Sequence, residues 1–138
     1  MMQTALVTGA SRGLGRAIAR RLHGDGYAVA VNFVSAADDA ESLVDEIRRD
    51  GGTASAYRAD VADEADMRRL FDDVAGEFGG IDVLINNAGI SPARETIAEF
   101  DVSHFDRMFA VNVRGVFLAL REAARRMKDG SRIVTISS

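Results

Sequence analysis

The sequence predicts an α/β fold: a doubly wound parallel sheet in the strand order 3-2-1-4-5, with helices on both faces and no strand after the fifth. Three observations predict it. Short apolar runs alternate with helix-period segments along the whole chain. The runs are nearly continuous rather than alternating, as in strands covered on both faces. A glycine-rich turn joins the first strand to the first helix. Alternating strands and helices imply right-handed crossovers and parallel pairing, and the doubly wound arrangement gives the order.

The elements follow in sequence. Ala5-Leu6-Val7 is a short apolar strand. Residues near 13–23 form a helix with Leu14, Ala17, Ile18 and Leu22 on its inner stripe, stopped by Gly24 and Gly26. Ala28 to Val31 is the second strand. Ser35 is placed to cap the next helix, with Asp38 three residues later. That helix turns Leu43, Val44 and Ile47 inward and ends at Gly51-Gly52. Thr53 to Ala59 is the third strand. Residues near 63–78 form a helix that buries Met67, Leu70, Phe71, Val74 and Phe78. Its acidic first turn complements the helix dipole. Ile81 to Ile85 is the fourth strand, and a loop containing Pro92 follows.

A long helix is then expected over about 103–127. Its apolar stripe of Phe105, Phe109, Val113, Val116, Phe117, Leu120 and Ala124 is expected to pack on the sheet. Met108, Val111 and Leu118 lie off that stripe, which suggests a partner helix. Ile133 to Ile136 is the fifth strand. It is apolar on both faces, without the charge or proline that blunts an edge strand, so the sheet is expected to be part of a larger one. The domain reading is one unit over residues 1–138, C-terminally incomplete, with no repeat or linker.

Composition narrows the function. A net charge of −4 argues against nucleic acid or an anionic membrane as the main partner. The chain has no Cys, which excludes disulfides and thiolate metal sites. His23 and His104 are read as helix-surface residues, and no metal site is expected. The start lacks a basic segment followed by a long apolar run, and no segment approaches the length of a membrane span. A cytoplasmic location is expected. The pairs Arg20-Arg21, Arg48-Arg49, Arg68-Arg69 and Arg125-Arg126 are read as solvated helix faces.

Four motifs carry chemistry. Thr8-Gly9-Ala10-Ser11-Arg12-Gly13-Leu14-Gly15 lies between a strand and a helix, the context of a dinucleotide-binding (Rossmann-type) turn. Gly9 permits the tight turn, Gly13 lets the backbone approach a pyrophosphate, and Gly15 allows close helix–sheet contact. The helix start offers free N–H groups to phosphate. The second motif is the end of strand two, Asn32-Phe33-Val34-Ser35, where an NAD site usually carries an acid. No carboxylate precedes Asp38, while Arg12 in the loop can pair with a 2′-phosphate. NADP(H) is therefore favoured and NAD(H) stays open, as does a plain surface role for Arg12. Asn86-Asn87-Ala88-Gly89 follows strand four, at the crevice where such sheets bind ligands; an ordinary turn is the alternative. Asn112 interrupts the long helix between Val111 and Val113, which suggests a buried amide, either a kink or part of a polar network.

With these motifs in order and spacing, the chain resembles the short-chain dehydrogenase/reductase family over its whole length. Bacterial 3-oxoacyl-(acyl-carrier-protein) reductases and similar carbonyl reductases are the members it is most like. The resemblance implies hydride transfer between a nicotinamide and a small-molecule carbonyl or secondary alcohol. It implies that Asp60-Val61 contacts the adenine, and that Ser138 (Ser137 in a shifted register) is the serine that hydrogen-bonds the carbonyl. Asn112 is by the same resemblance the asparagine of the catalytic set. Cofactor contacts are expected from Thr8, Gly9, Ser11, Arg12, Gly13, Leu14, Gly15, Asn32, Ser35, Asn87, Ala88 and Gly89.

The family also uses a Tyr-x-x-x-Lys pair. The fourth residue after Tyr27 is Val31, the fourth after Tyr57 is Val61, and the one lysine is Lys128. The chain is therefore expected to be a fragment that holds cofactor but has little or no activity by itself. A non-catalytic nucleotide-binding module and a non-functional gene remnant are the alternatives. The long helix belongs to the family's oligomer interface, which this chain alone is not expected to complete.

Overall fold

The computed structural model describes residues 2–91 and 94–137. The strands are β1 (Thr4–Val7), β2 (Ala28–Phe33), β3 (Ala54–Arg58), β4 (Val83–Asn86) and β5 (Arg132–Thr135). The helices are α1 (Gly13–Gly24), α2 (Ala37–Arg49), α3 (Glu64–Phe78), α4 (Val102–Phe109) and α5 (Gly115–Arg126), the last two joined by a π turn over Ala110–Arg114. All strand pairs are parallel, and the order is β3-β2-β1-β4-β5, as the sequence predicts.

Successive strand residues point to opposite faces, and this divides the core in two. Ala5, Val7, Val29, Val31, Val83 and Ile85 face α1 and α2, where they meet Ala19, Leu43 and Ile47. Leu6, Ala30 and Leu84 face the other way, onto Leu70, Phe71 and Val74 of α3 and Leu118 of α5. Leu6 pairs in register with Ala30 on one side and Leu84 on the other, so one apolar row crosses three strands. β1, β2 and β4 are buried throughout.

Several local expectations are corrected. The inner face of α1 is Gly15, Ile18, Ala19 and Leu22; Leu14 is 57% exposed and Ala17 is exposed. In the first turn the Leu14 side chain points outward, while Gly15, with no side chain, takes the close contact with Gly9 and Asn87. Ser35 does not cap α2: the cap position is Ala36, without a capping side chain, and Asp38 and Asp39 supply the negative charge instead. His23 is not a free surface residue. Its ring packs on Gly52, where an added Cβ would sit 2.4 Å from Nδ1, and its Nε2 lies 2.7 Å from Asp50.

The largest correction is the facing of the long helix. Val111, Gly115, Leu118, Ala119, Glu122 and Ala123 are the buried residues, whereas Phe105, Phe109, Val113, Phe117 and Leu120 are exposed. The bulky Phe71 and Leu70 of α3 already fill the space, so α5 approaches with small residues. Gly115 lets the start of α5 sit close against the loop after β3, since a Cβ there would lie 2.7 Å from Val61 Cγ2. Ion pairs Arg121–Glu64 and Arg126–Asp72 tie α5 to α3.

Candidate functional site

Loops at the carboxyl ends of β1, β2, β3 and β4 surround a cleft of about 440 Å³. That volume suits a small-molecule ligand. Gly9, Ser11, Arg12 and Gly13 form one wall, and the end of β2 through Ala36 forms the next. Asp60 and Val61 follow β3, and Asn87 to Ile90 follow β4. Arg107 and Val111 of the long helix complete the rim.

The cleft keeps its shape through a few polar side chains beneath it. Thr8 is 2% exposed. Its Oγ1 accepts the N–H groups of Asn87 and Ala88, each at 3.0 Å, and donates to the Ile85 carbonyl. The Asn87 amide donates back to the carbonyls of Thr8 and Gly9, at 3.1 and 3.0 Å. These bonds join the loops after β1 and β4. Asn32 joins β2 to both neighbours: its Oδ1 accepts from Gly9 N–H at 3.1 Å, and its Nδ2 donates to Ala59 and Tyr57 carbonyls. Gly9 has φ +60°, and a Cβ there would lie 2.9 Å from Ala88 Cα. Gly15 leaves room for the Asn87 amide and the Gly9 carbonyl, each 2.4 Å from where a Cβ would be.

The Thr8 side chain and the Cα of Gly15 thus pack behind the wall, and exposed Leu14 occupies the first turn of α1. Arg12 and Ser35 are exposed on the rim. Asp60 has its backbone N–H on Asp66 Oδ2 and its own Oδ1 on Ala62 N–H, both at 2.9 Å. Asn112 is exposed, against the expectation of burial. It lies in the π turn, where both ends of its amide clasp the Ile90 backbone at 2.8 Å. Side-chain bonds to a main chain need no burial, and the kink and the polar contact are the same feature. Ser138 lies outside the described residues.

Sequence reading missed two arginines. Arg16 reaches from α1 to the Ser11 carbonyl at 3.2 Å and the Asp39 carbonyl at 2.7 Å, fastening the glycine loop to α2. Hydrogen bonds from Arg20, with Arg16 adding charge, hold Glu46 of α2 below the usual carboxylate range. Arg107 forms an ion pair with Asp60 at 3.0 Å across the rim. Neither had a local signal, because an arginine on a helix looks alike whether it is solvated or reaches a neighbouring loop. Among the described residues no cluster of three or more acids or histidines could hold a metal, and no helix is long and apolar enough to cross a membrane.

Comparisons with known proteins agree with this geometry. The family model of the short chain dehydrogenases matches residues 3–138. Elsinochrome reductase 1 of Elsinoe fawcettii is 39% identical over 99% of this chain and 51% of its own length. The 3-oxoacyl-(acyl-carrier-protein) reductase of Staphylococcus aureus is 38% identical over 100% of this chain and 56% of its own. The crystal structure of a short chain dehydrogenase from Burkholderia cenocepacia in complex with NADP superposes with a TM-score of 0.94 at 43% identity, covering 99% of this chain and 55% of that one. The chain spans about half the length of the curated relatives it matches. A glycine loop bound to Asn87 just after β4, a 3-2-1-4-5 parallel sheet and a family match over residues 3–138 together show that this chain belongs to the short chain dehydrogenases.

Proposed function

We propose that the cleft binds NADP(H), and that the chain is the cofactor-holding part of an oxidoreductase acting on a small-molecule carbonyl or secondary alcohol. The observation that carries this reading is the start of α1. The helix begins at the cleft with no capping side chain and no acid in its first turn. By contrast, α3 and α4 are capped by the Asp63 and Asp101 carboxylates. The free N–H groups and positive dipole end of α1 fit a phosphate. Gly13, with φ +58°, has open space where a Cβ would be, so the backbone is bare on the cleft side.

When bound, NADP(H) supplies the hydride-carrying nicotinamide. The chain's own residues do the holding. The N–H groups of Gly13, Leu14 and Gly15 receive the pyrophosphate, and Arg12 with Ser35 receives the 2′-phosphate. Asp60 accepts from the adenine amine while Val61 packs on the base. Asn87, Ala88 and Gly89 line the ribose and nicotinamide side. Asn112 fixes the Ile90 backbone there, and Ser138 is proposed to hydrogen-bond the substrate carbonyl. The 138 residues contain no Tyr-x-x-x-Lys pair. A positioned acid/base contributes about 10²–10⁴-fold in rate, so these residues alone bind cofactor and turn over little.

The test is titration of NADPH and NADH, followed by nicotinamide fluorescence, with the parent and with Arg12→Gln. The parent prefers NADPH by at least about tenfold. A charge-assisted hydrogen bond is worth about 1.5–3 kcal/mol, so the variant loses about 10- to 150-fold of that preference. Equal affinity for the two cofactors in the parent defeats the assignment.

A further inference from the structure

We propose that Arg107 is a base-selecting positioning residue, which sets the Asp60 carboxylate to read the purine of the bound cofactor. The inference rests on the cofactor reading above and extends it to a residue outside the motifs. Both partners line the cleft, and their ion pair of 3.0 Å joins the loop after β3 to α4. Asp60 is held from three directions. Its backbone N–H is on Asp66, its Oδ1 is on the Ala62 N–H, and its Oδ2 faces the Arg107 guanidinium. These ties fix the plane of the carboxylate at the cleft wall, so a lone pair stays available for an amine donor in the cleft.

The location argues for a role beyond folding. The Arg107 and Asp60 side chains are 47% and 32% exposed, and a pair so wet contributes little to stability. α4 buries none of its residues, so Arg107 is a polar tie between this helix and the cleft rim. The end of the cleft beyond the β2 and β3 strand ends is where the adenosine half extends if the pyrophosphate sits on α1. A planar guanidinium on that wall also presents a face on which a purine ring can stack.

A purine with a 6-amino group donates to a fixed carboxylate; hypoxanthine, with a carbonyl at that position, opposes it with another acceptor. Recognition by a buried or fixed polar group discriminates strongly against the analogue that cannot pair. The experiment compares NADPH with its hypoxanthine analogue, in the parent, Arg107→Met, Arg107→Lys, Asp60→Asn and the Asp60→Asn/Arg107→Met double variant. The parent is expected to prefer the adenine form by about tenfold or more. Arg107→Met lowers that ratio to below about threefold, Arg107→Lys retains part of it, and Arg107→Met has no further effect on the ratio once Asp60 is Asn. The NADPH-to-NADH ratio, assigned to Arg12, stays unchanged in Arg107→Met.

A merely structural role moves both affinities together and leaves the base ratio intact, which overturns the proposal. An undiminished ratio in Arg107→Met with a lost ratio in Asp60→Asn overturns the part of Arg107 alone. A parent that binds neither dinucleotide overturns the cofactor reading and this inference with it. Because Arg107 is on the surface, the variant's thermal unfolding serves as the control for folding.

Discussion

At the scale of the residue, Thr8 has the most concentrated role. One buried hydroxyl satisfies two N–H groups from the loop after β4 and bonds a third backbone group. Replacing it by Val keeps the shape and orphans both donors. A buried unsatisfied donor costs about 1–3 kcal/mol, so Thr8→Val lowers the urea unfolding midpoint by a corresponding amount and weakens cofactor binding through loss of loop order. Tyr57 offers a second test. Burial, and the neighbouring Glu77 carboxylate that it hydrogen-bonds, push its phenol up from the usual value. In a Tyr27→Phe background, tyrosinate absorbance therefore appears only well above about pH 10, and Glu77→Gln brings it back down. A folded-state value above the unfolded one contributes stability that is fully present below about pH 10 and lost as pH rises through the folded value.

Residue-level legibility divided along chemical lines. Gly9, Gly13 and Asn87 could be singled out because their spacing belongs to a local turn pattern that is visible in the sequence. Arg16 and Arg107 could not, because their partners, the Ser11 carbonyl and Asp60, are set by how loops converge in space. Asn32 illustrates the middle ground. Its position drew attention as the missing acid of strand two, but its side chain is spent on the Gly9, Tyr57 and Ala59 backbones. Of the polar side chains at this end of the cleft, Arg12 and Ser35 are the exposed ones, and the proposed contact with a 2′-phosphate rests on them.

At the scale of the element, periodicity located the strands and helices of the described residues, with α4 and α5 read as one helix, and gave the inner faces of α2 and α3. It failed at the facing of the long helix and of the first turn of α1. The long helix has an apolar stripe that reads as its inner face, yet Phe105, Phe109, Val113 and Phe117 are exposed while Gly115, Ala119 and Ala123 are buried. Helical spacing of apolar residues shows that a stripe exists and not what covers it; the packing is decided by the side chains on α3. The π turn at Ala110–Arg114 was partly announced by Asn112, a poor helix-interior residue, and such turns recur at functional sites. The exposed stripe has a physical consequence in this chain by itself. Apolar surface of this kind associates in water. Phe117, 57% exposed, should be replaceable by Glu with loss of hydrophobic-dye binding and of light scattering, and with an unchanged far-UV circular dichroism spectrum.

At the scale of the whole molecule, the sheet order and the split core followed from simple rules: alternating elements, right-handed crossovers and side chains that alternate between faces. Those rules also fix where a ligand must bind, because the strand order reverses direction between β1 and β4 and the loops diverge there. The site is a product of that topology, with the start of α1 on one side, the Asn87 loop on the other, and Arg12, Ser35 and Asp60 along the cleft lining between them. The central claim is that a dinucleotide lies across this reversal with its pyrophosphate on α1. Amide chemical-shift mapping of the uniformly ¹⁵N-labelled chain against NADPH tests it most directly. The account predicts saturable shifts greatest at Gly13, Leu14 and Gly15, with smaller ones at Val61 and Gly89 and none on the outer face of α5. Saturation of the chain with those α1 amides unmoved, or with the largest shifts on the Phe109–Phe117 stripe, would contradict it.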